Sequence, residues 1–394
     1  MRSSTSSSNA EGFVRAVPRG NWPVSCVIAI VFVLLVTAVW ELRVRGMGYR
    51  PSVNETSDLW ARERSRLDRP GVDMVIIGSS RAQFDFDLKT FADYFSIEPP
   101  VQLAMPGTNP MQLLESVAAA EKFSGTVVLG VTPALWFVPE GMPVEQARQA
   151  VGRYENWSPS QRAGLALSIP LQRLFAYQNQ EDLKLGELLA RIPIKNRPAA
   201  EANQPPLLPP YFTGIDGRRQ ARMWEQCDFG SPLALEIQRR WLGLFKPPPP
   251  PPGVTPEELQ QMFGAFIEAN LERLRVAVET LRSRGSRVVF VRLPSTGTLR
   301  EIELGMAPRE AFYERMLAVT GAPGVHFQDY PELSDFDCPE WSHLTASDAV
   351  LFTQRLMPIL ENALVNPAPV HRPRPADPAR SPDSVPDRGN DTVD

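Results

Sequence analysis

Apolar residues recur along this chain in three different rhythms. From Trp22 to Trp40 they run for nineteen positions without a charge, long enough at about 1.5 Å per residue to cross a hydrocarbon core. Trp22 and Trp40 bracket the run as interfacial anchors, and Trp40 leads into ELRVRGMG rather than a small-residue cleavage site, so an uncleaved transmembrane helix is predicted over 22–42. Three arginines precede it (Arg2, Arg15, Arg19) and three come soon after (Arg43, Arg45, Arg50), so charge alone does not assign its orientation.

The second rhythm begins near residue 71, where short apolar runs alternate with segments of helical period. Val72 to Ile77, Val101 to Ala104 and Thr126 to Val131 read as strands, with helices over Leu88 to Tyr94 and Pro110 to Phe123 between them. A βαβαβ order in about sixty residues implies right-handed crossovers and a parallel sheet. After an interruption the pattern resumes at Thr255-Pro256-Glu257-Glu258, a hydroxyl cap followed by proline and then glutamate, predicting a helix that runs to about Arg284. Arg287 to Leu293 is the fourth expected strand, Pro308 to Thr320 a helix and Val325 to Gln328 a fifth strand. Thr345 caps a last helix whose stripe includes Val350, Leu351, Leu356, Ile359 and Leu360.

The third rhythm is an absence of regular period. Residues 139–253 hold amphipathic stretches (161–177 and 181–192), a Pro-rich patch at 198–210 and six consecutive prolines within 246–253, which suit a helical cap or lid beside the sheet. Residues 1–21 are Ser-rich, and 366–394 carry seven prolines among charges, so both are expected to be disordered tails. The expected organisation is therefore a tail, the membrane helix, a juxtamembrane segment (43–70) with a short helix over Ser57 to Leu67, and an α/β domain from 71–138 and 254–364 interrupted by the insertion.

Composition narrows the chemistry. The net charge of −4, without a Lys/Arg patch interleaved with aromatics, argues against a nucleic-acid partner. Cys26, Cys227 and Cys338 are far apart, so no zinc cage or redox dithiol can be drawn, though Cys227 and Cys338 could pair in an exported domain. His326, His343 and His371 are the only histidines, and the last lies in the tail.

The first strand ends at Gly78, Ser79, Ser80 and Arg81, and His343 lies in DCPEWSHLT between the fifth strand and the last helix. In a parallel sheet both loops emerge at the carboxyl edge, so Ser80 and His343 can meet there although they are 263 positions apart. Serine needs a base, and the base a third group; Glu340 stands three residues before His343, with Asp337 and Asp335 as alternates. The plainer readings are that Ser80 caps a helix, that His343 bonds a carbonyl and that His326 is packed. Arg81 and Arg292 are expected either to be structural or to bind an anionic substrate.

In these residues the chain resembles the SGNH (GDSL-like) hydrolase and acyltransferase superfamily. Gly78-Ser79-Ser80 stands where the family has Gly-Asp-Ser, and Glu340-Trp341-Ser342-His343 where it has Asp-x-x-His. The resemblance implies a flavodoxin-like five-stranded sheet, Ser80 as nucleophile, and an oxyanion hole from the Ser80 and Gly107 N–H groups. The family's asparagine after the third strand is replaced by Thr132, leaving Asn109 as the candidate third donor and Thr132 as its alternate. It further implies no metal or organic cofactor, and a domain outside the cytoplasmic membrane that acts on O-acyl groups of envelope polysaccharide, in some members beside a multispanning acyltransferase. The competing expectation is a catalytically weak glycan- or partner-binding assembly factor on the same fold.

Overall fold

The computed structural model describes residues 20–178, 183, 212–244 and 253–366, which fall into two compact units divided between Tyr49 and Arg50. The predicted tails, the amphipathic stretch 181–192, the Pro-rich patch 198–210 and the proline run lie wholly or almost wholly outside the described residues.

The first unit is the helix Trp22–Gly46, 25 residues whose most apolar window has a mean hydropathy of 2.6, long and apolar enough to cross a membrane. It continues past the predicted end at 42 because its polar last turn is itself a good helix, with Arg45 Nε 2.6 Å from Glu41 Oε1 one turn earlier.

The second unit is built on five parallel strands, β1 (Met74–Ile77), β2 (Val101–Gln102), β3 (Thr126–Val131), β6 (Arg287–Arg292) and β7 (Gly324–His326), in the order β2-β1-β3-β6-β7. The order reverses between β1 and β3, the place in an open α/β sheet where ligands collect beyond the carboxyl ends of the strands. Pleating divides the apolar residues between two cores. Val75, Ile77, Val127, Leu129, Val288 and Phe290 face the helices Met111–Ala118 and Pro256–Ser283. Met74, Ile76, Val128, Val289 and Val291 face the last helix, Ala346–Val365. Both caps read from the sequence are present: Thr255 and Glu258 form a reciprocal capping box, and Thr345 Oγ1 accepts from Asp348 N–H.

Four strands are shorter than predicted, β1 beginning only at Met74 and β6 ending at Arg292. β2 stops at Gln102, and β7 stops at His326, whose ring nitrogen takes the Gln328 N–H and turns the backbone into a 3-10 turn. In the insertion the structure adds elements the pattern did not predict: the helix Met142–Glu155, the antiparallel hairpin β4 (Thr213–Ile215) and β5 (Ala221–Met223), and the helix Pro232–Leu244. The stretch read as 161–177 is the helix Pro159–Leu174, capped by Ser158 and Gln161.

Gly130 explains how a helix can start directly at the end of β1. A Cβ there would lie 2.5 Å from Ala82 Cβ, so only glycine lets the helix Ser80–Phe84 lie against β3. Gly130→Ala is expected to cost about 1–3 kcal/mol by overpacking, measured as a lower denaturant midpoint with an unchanged slope.

Candidate active site

Gly78 and Ser79 lead from β1 into the five-residue helix Ser80–Phe84. The two serines are placed differently. Ser79 is 1% exposed and shares a hydrogen bond of 2.7 Å with Thr132 Oγ1, so its hydroxyl is committed to holding the end of β3. Ser80 is partly exposed, and among the described residues its hydroxyl has no hydrogen-bond partner. Phe84, one helical turn on and on the same face as Ser80, packs on the His343 imidazole with ring centroids 4.4 Å apart.

His343 is itself buried, and its Nδ1 lies 2.9 Å from Glu340 Oε1. Glu340 is fully buried in a turn that closes on itself, because the same oxygen accepts the backbone N–H groups of Ser342 and His343. Its other oxygen, Oε2, accepts the Trp241 indole N–H at 2.6 Å. A carboxylate only accepts, so the proton on the imidazole sits at Nδ1 and Nε2 is left as the basic nitrogen. His343 Nε2 is enclosed and has no hydrogen-bond partner among the described residues. Asp337 and Asp335 are exposed, whereas Glu340 holds the imidazole.

Two buried contacts fasten the serine helix to the histidine loop. Arg81 Nε donates to the Ser342 carbonyl at 3.1 Å, and Asp85 Oδ1 accepts the Leu344 N–H at 2.9 Å. Burial holds the Asp85 carboxyl well above its ordinary range, only partly offset by the Leu344 N–H and Arg81. Behind Arg81 lies an ion network. Its guanidinium pairs with both oxygens of Glu303 at 2.6 and 3.1 Å, and Glu303 also accepts from Arg292 and Ser295. Both arginines are thus structural, which removes them as anion binders. Burial alone would raise the Glu303 carboxyl, but Arg81 and Arg292 outweigh it and hold it at about 2. Arg292 is drawn down by burial to about 10 and remains charged at neutral pH.

Of the candidate oxyanion donors, Gly107 sits in the turn after β2 with φ of +60°, and neither its N–H nor that of Ser80 has a partner among the described residues. Asn109 is a correction. Its amide donates to the carbonyls of Val138 (3.1 Å) and Trp136 (3.4 Å) while its oxygen takes the Met111 N–H, so it ties the next helix down and has no donor left. The alternate, Thr132, is buried and shares a hydrogen bond with the Ser79 hydroxyl in which either can donate.

His326 lies apart, at the end of β7, buried against Phe327 and Tyr313. Burial and then Arg292, Arg309 and Arg300 hold its imidazole well below the ordinary range, so it is neutral. Cys227 and Cys338 are free buried thiols rather than a pair, and burial pushes Cys227 up to about 12, which makes it a poor nucleophile.

Sequence reasoning missed the residues that the insertion brings here. Phe212 and Trp241 stand 5.7 and 6.2 Å from the His343 ring, and Gln238 donates to the Pro339 carbonyl at 2.9 Å. The described part of the insertion therefore covers the histidine, as a cap would. The signal in the sequence was the amphipathic stretch around Ile237 and Trp241, but its partner face could not be read without the fold. Compared with family models and with curated proteins, the chain finds no match in either.

Proposed function

We propose that this chain is a membrane-anchored serine esterase or O-acyltransferase of the SGNH type, with Ser80, His343 and Glu340 as its relay. The observation that carries the reading is an imidazole oriented by a buried carboxylate at Nδ1, with Nε2 unpaired beside the helix that presents Ser80. The strand order and the glycine turn after β2 agree with it.

In this mechanism His343 Nε2 takes the Ser80 hydroxyl proton as Oγ bonds to the ester carbonyl carbon. The Ser80 and Gly107 N–H groups hold the resulting oxyanion. The imidazolium then protonates the leaving alcohol as the ester bond breaks, leaving an acyl group on Ser80. Water or an acceptor hydroxyl, deprotonated by the same nitrogen, attacks that group and releases Ser80. Glu340 orients the ring and stabilises its charged form. The substrates we assign are acyl esters of envelope glycans, with the domain on the outer side of the cytoplasmic membrane and a multispanning acyltransferase as a partner. These assignments rest on the likeness of the Ser80 and His343 blocks to that superfamily.

Trp241→Phe keeps the aromatic wall and removes the donor to buried Glu340 Oε2, so we expect roughly tenfold slower reaction with a serine-directed phosphonate and about 1–3 kcal/mol lower stability. The deciding test is that labelling itself, with p-nitrophenyl acetate turnover beside it, on the full chain in detergent. A second reading, a glycan- or partner-binding module, is favoured by one observation: His343 Nε2 is shut beneath Phe84, Phe212 and Trp241. Folded protein that neither labels nor turns over ester would leave that reading standing.

A further inference from the structure

A second, shallow cleft opens to solvent at the carboxyl ends of β3, β6 and β7. Its lining is rich in cations, and they are not equivalent. Arg292 is committed to Glu303, and Arg309 to Glu314 and Asp329. Arg300, on the helix Gly297–Met306, is half-buried with its guanidinium 5.4 Å from the Phe327 ring centroid, and among the described residues no carboxylate lies within ion-pair distance of it. Burial draws the Arg300 guanidinium below its ordinary range, and the Asp337 and Glu303 carboxylates, beyond ion-pair distance, offset this only in part.

His326 lines the same cleft. Its Nδ1 accepts the Gln328 N–H at 3.3 Å, which places the ring proton on Nε2, and Nε2 has no partner among the described residues. The one carboxylate in the lining, Glu303, has its oxygens taken up by Arg81, Arg292 and Ser295. The cleft thus combines a planar cationic fork and a neutral N–H donor, and the carboxylate in its lining is already taken up.

We propose that the cleft between Arg300 and His326 is a binding site for a small oxyanion, a carboxylate or phosphate group. Guanidinium pairs with either in the same two-point manner, and the imidazole N–H supplies a further bond. The site is separate from Ser80 and does not depend on the reading given to that serine.

The test uses the full chain in detergent with its three histidines labelled for NMR, His326 being assigned by the signal lost in His326→Gln. Inorganic phosphate and, in a parallel series, acetate are titrated at ionic strength held constant with sodium chloride. The proposal expects a saturable shift of the His326 signal with at least one of them, together with a Tm rise of about 3 °C at ten times the apparent Kd. The anion that saturates at lower concentration identifies the preferred head group. Arg300→Gln should weaken binding at least tenfold and Arg300→Lys less, both melting as wild type without ligand, while Ser80→Ala should bind as wild type. No saturable shift with either anion, or equal binding by wild type and Arg300→Gln, overturns the assignment.

Discussion

Ser80→Ala is expected to abolish covalent labelling by a serine-directed phosphonate and to lower ester turnover by about 10³-fold or more, with melting temperature within about 1 °C of wild type. The activity loss is large because the hydroxyl would supply both the attacking oxygen and the proton that His343 carries. The stability change is small because Ser80 is partly exposed and its hydroxyl holds nothing else among the described residues. Ser79→Ala provides the contrast. It removes the bond to Thr132 inside the core, so it should cost about 1 kcal/mol of stability yet still label. Labelling that persists in Ser80→Ala but not in Ser79→Ala would reverse the assignment of the two hydroxyls.

The largest stability effect is expected from Glu303→Gln, about 3–5 kcal/mol and on the order of 10 °C in Tm. Two buried guanidiniums, Arg81 and Arg292, share this carboxylate, and a neutral amide would leave both without a counter-charge. Arg81 also holds the Ser342 carbonyl, so the histidine loop should loosen and activity fall along with stability. The pH dependence has a definite sign. Glu303 is held at about 2 in the folded chain against an ordinary 4.5, so its contribution is complete above about 4.5 and is lost as pH falls towards 2. That difference corresponds to about 3 kcal/mol, and the loss of stability between pH 5 and pH 2.5 should be correspondingly smaller in Glu303→Gln. Equal acid sensitivity of wild type and variant, followed by thermal melts, would remove Glu303 as the group responsible.

What the sequence alone determined is what short-range physics controls. Uncharged length marks the membrane-competent helix, alternating runs of apolar residues mark the buried strands, and hydroxyl-plus-acid spacings mark helix starts at Thr255 and Thr345. The sequence also placed Ser80 and His343 at one edge, since every strand of a parallel sheet delivers its loop to the same side. Only the tertiary structure could decide how polar groups far apart in sequence share their hydrogen bonds. It joined Glu340 rather than Asp337 to His343, gave the Asn109 amide to two carbonyls, and paired Arg81 with Glu303 across 222 positions. It also brought Trp241 over the histidine from an insertion whose helical pattern carried no sign of its partner. Amphipathic period shows that a face will be buried, but a buried donor's choice of acceptor depends on which side chains meet in space.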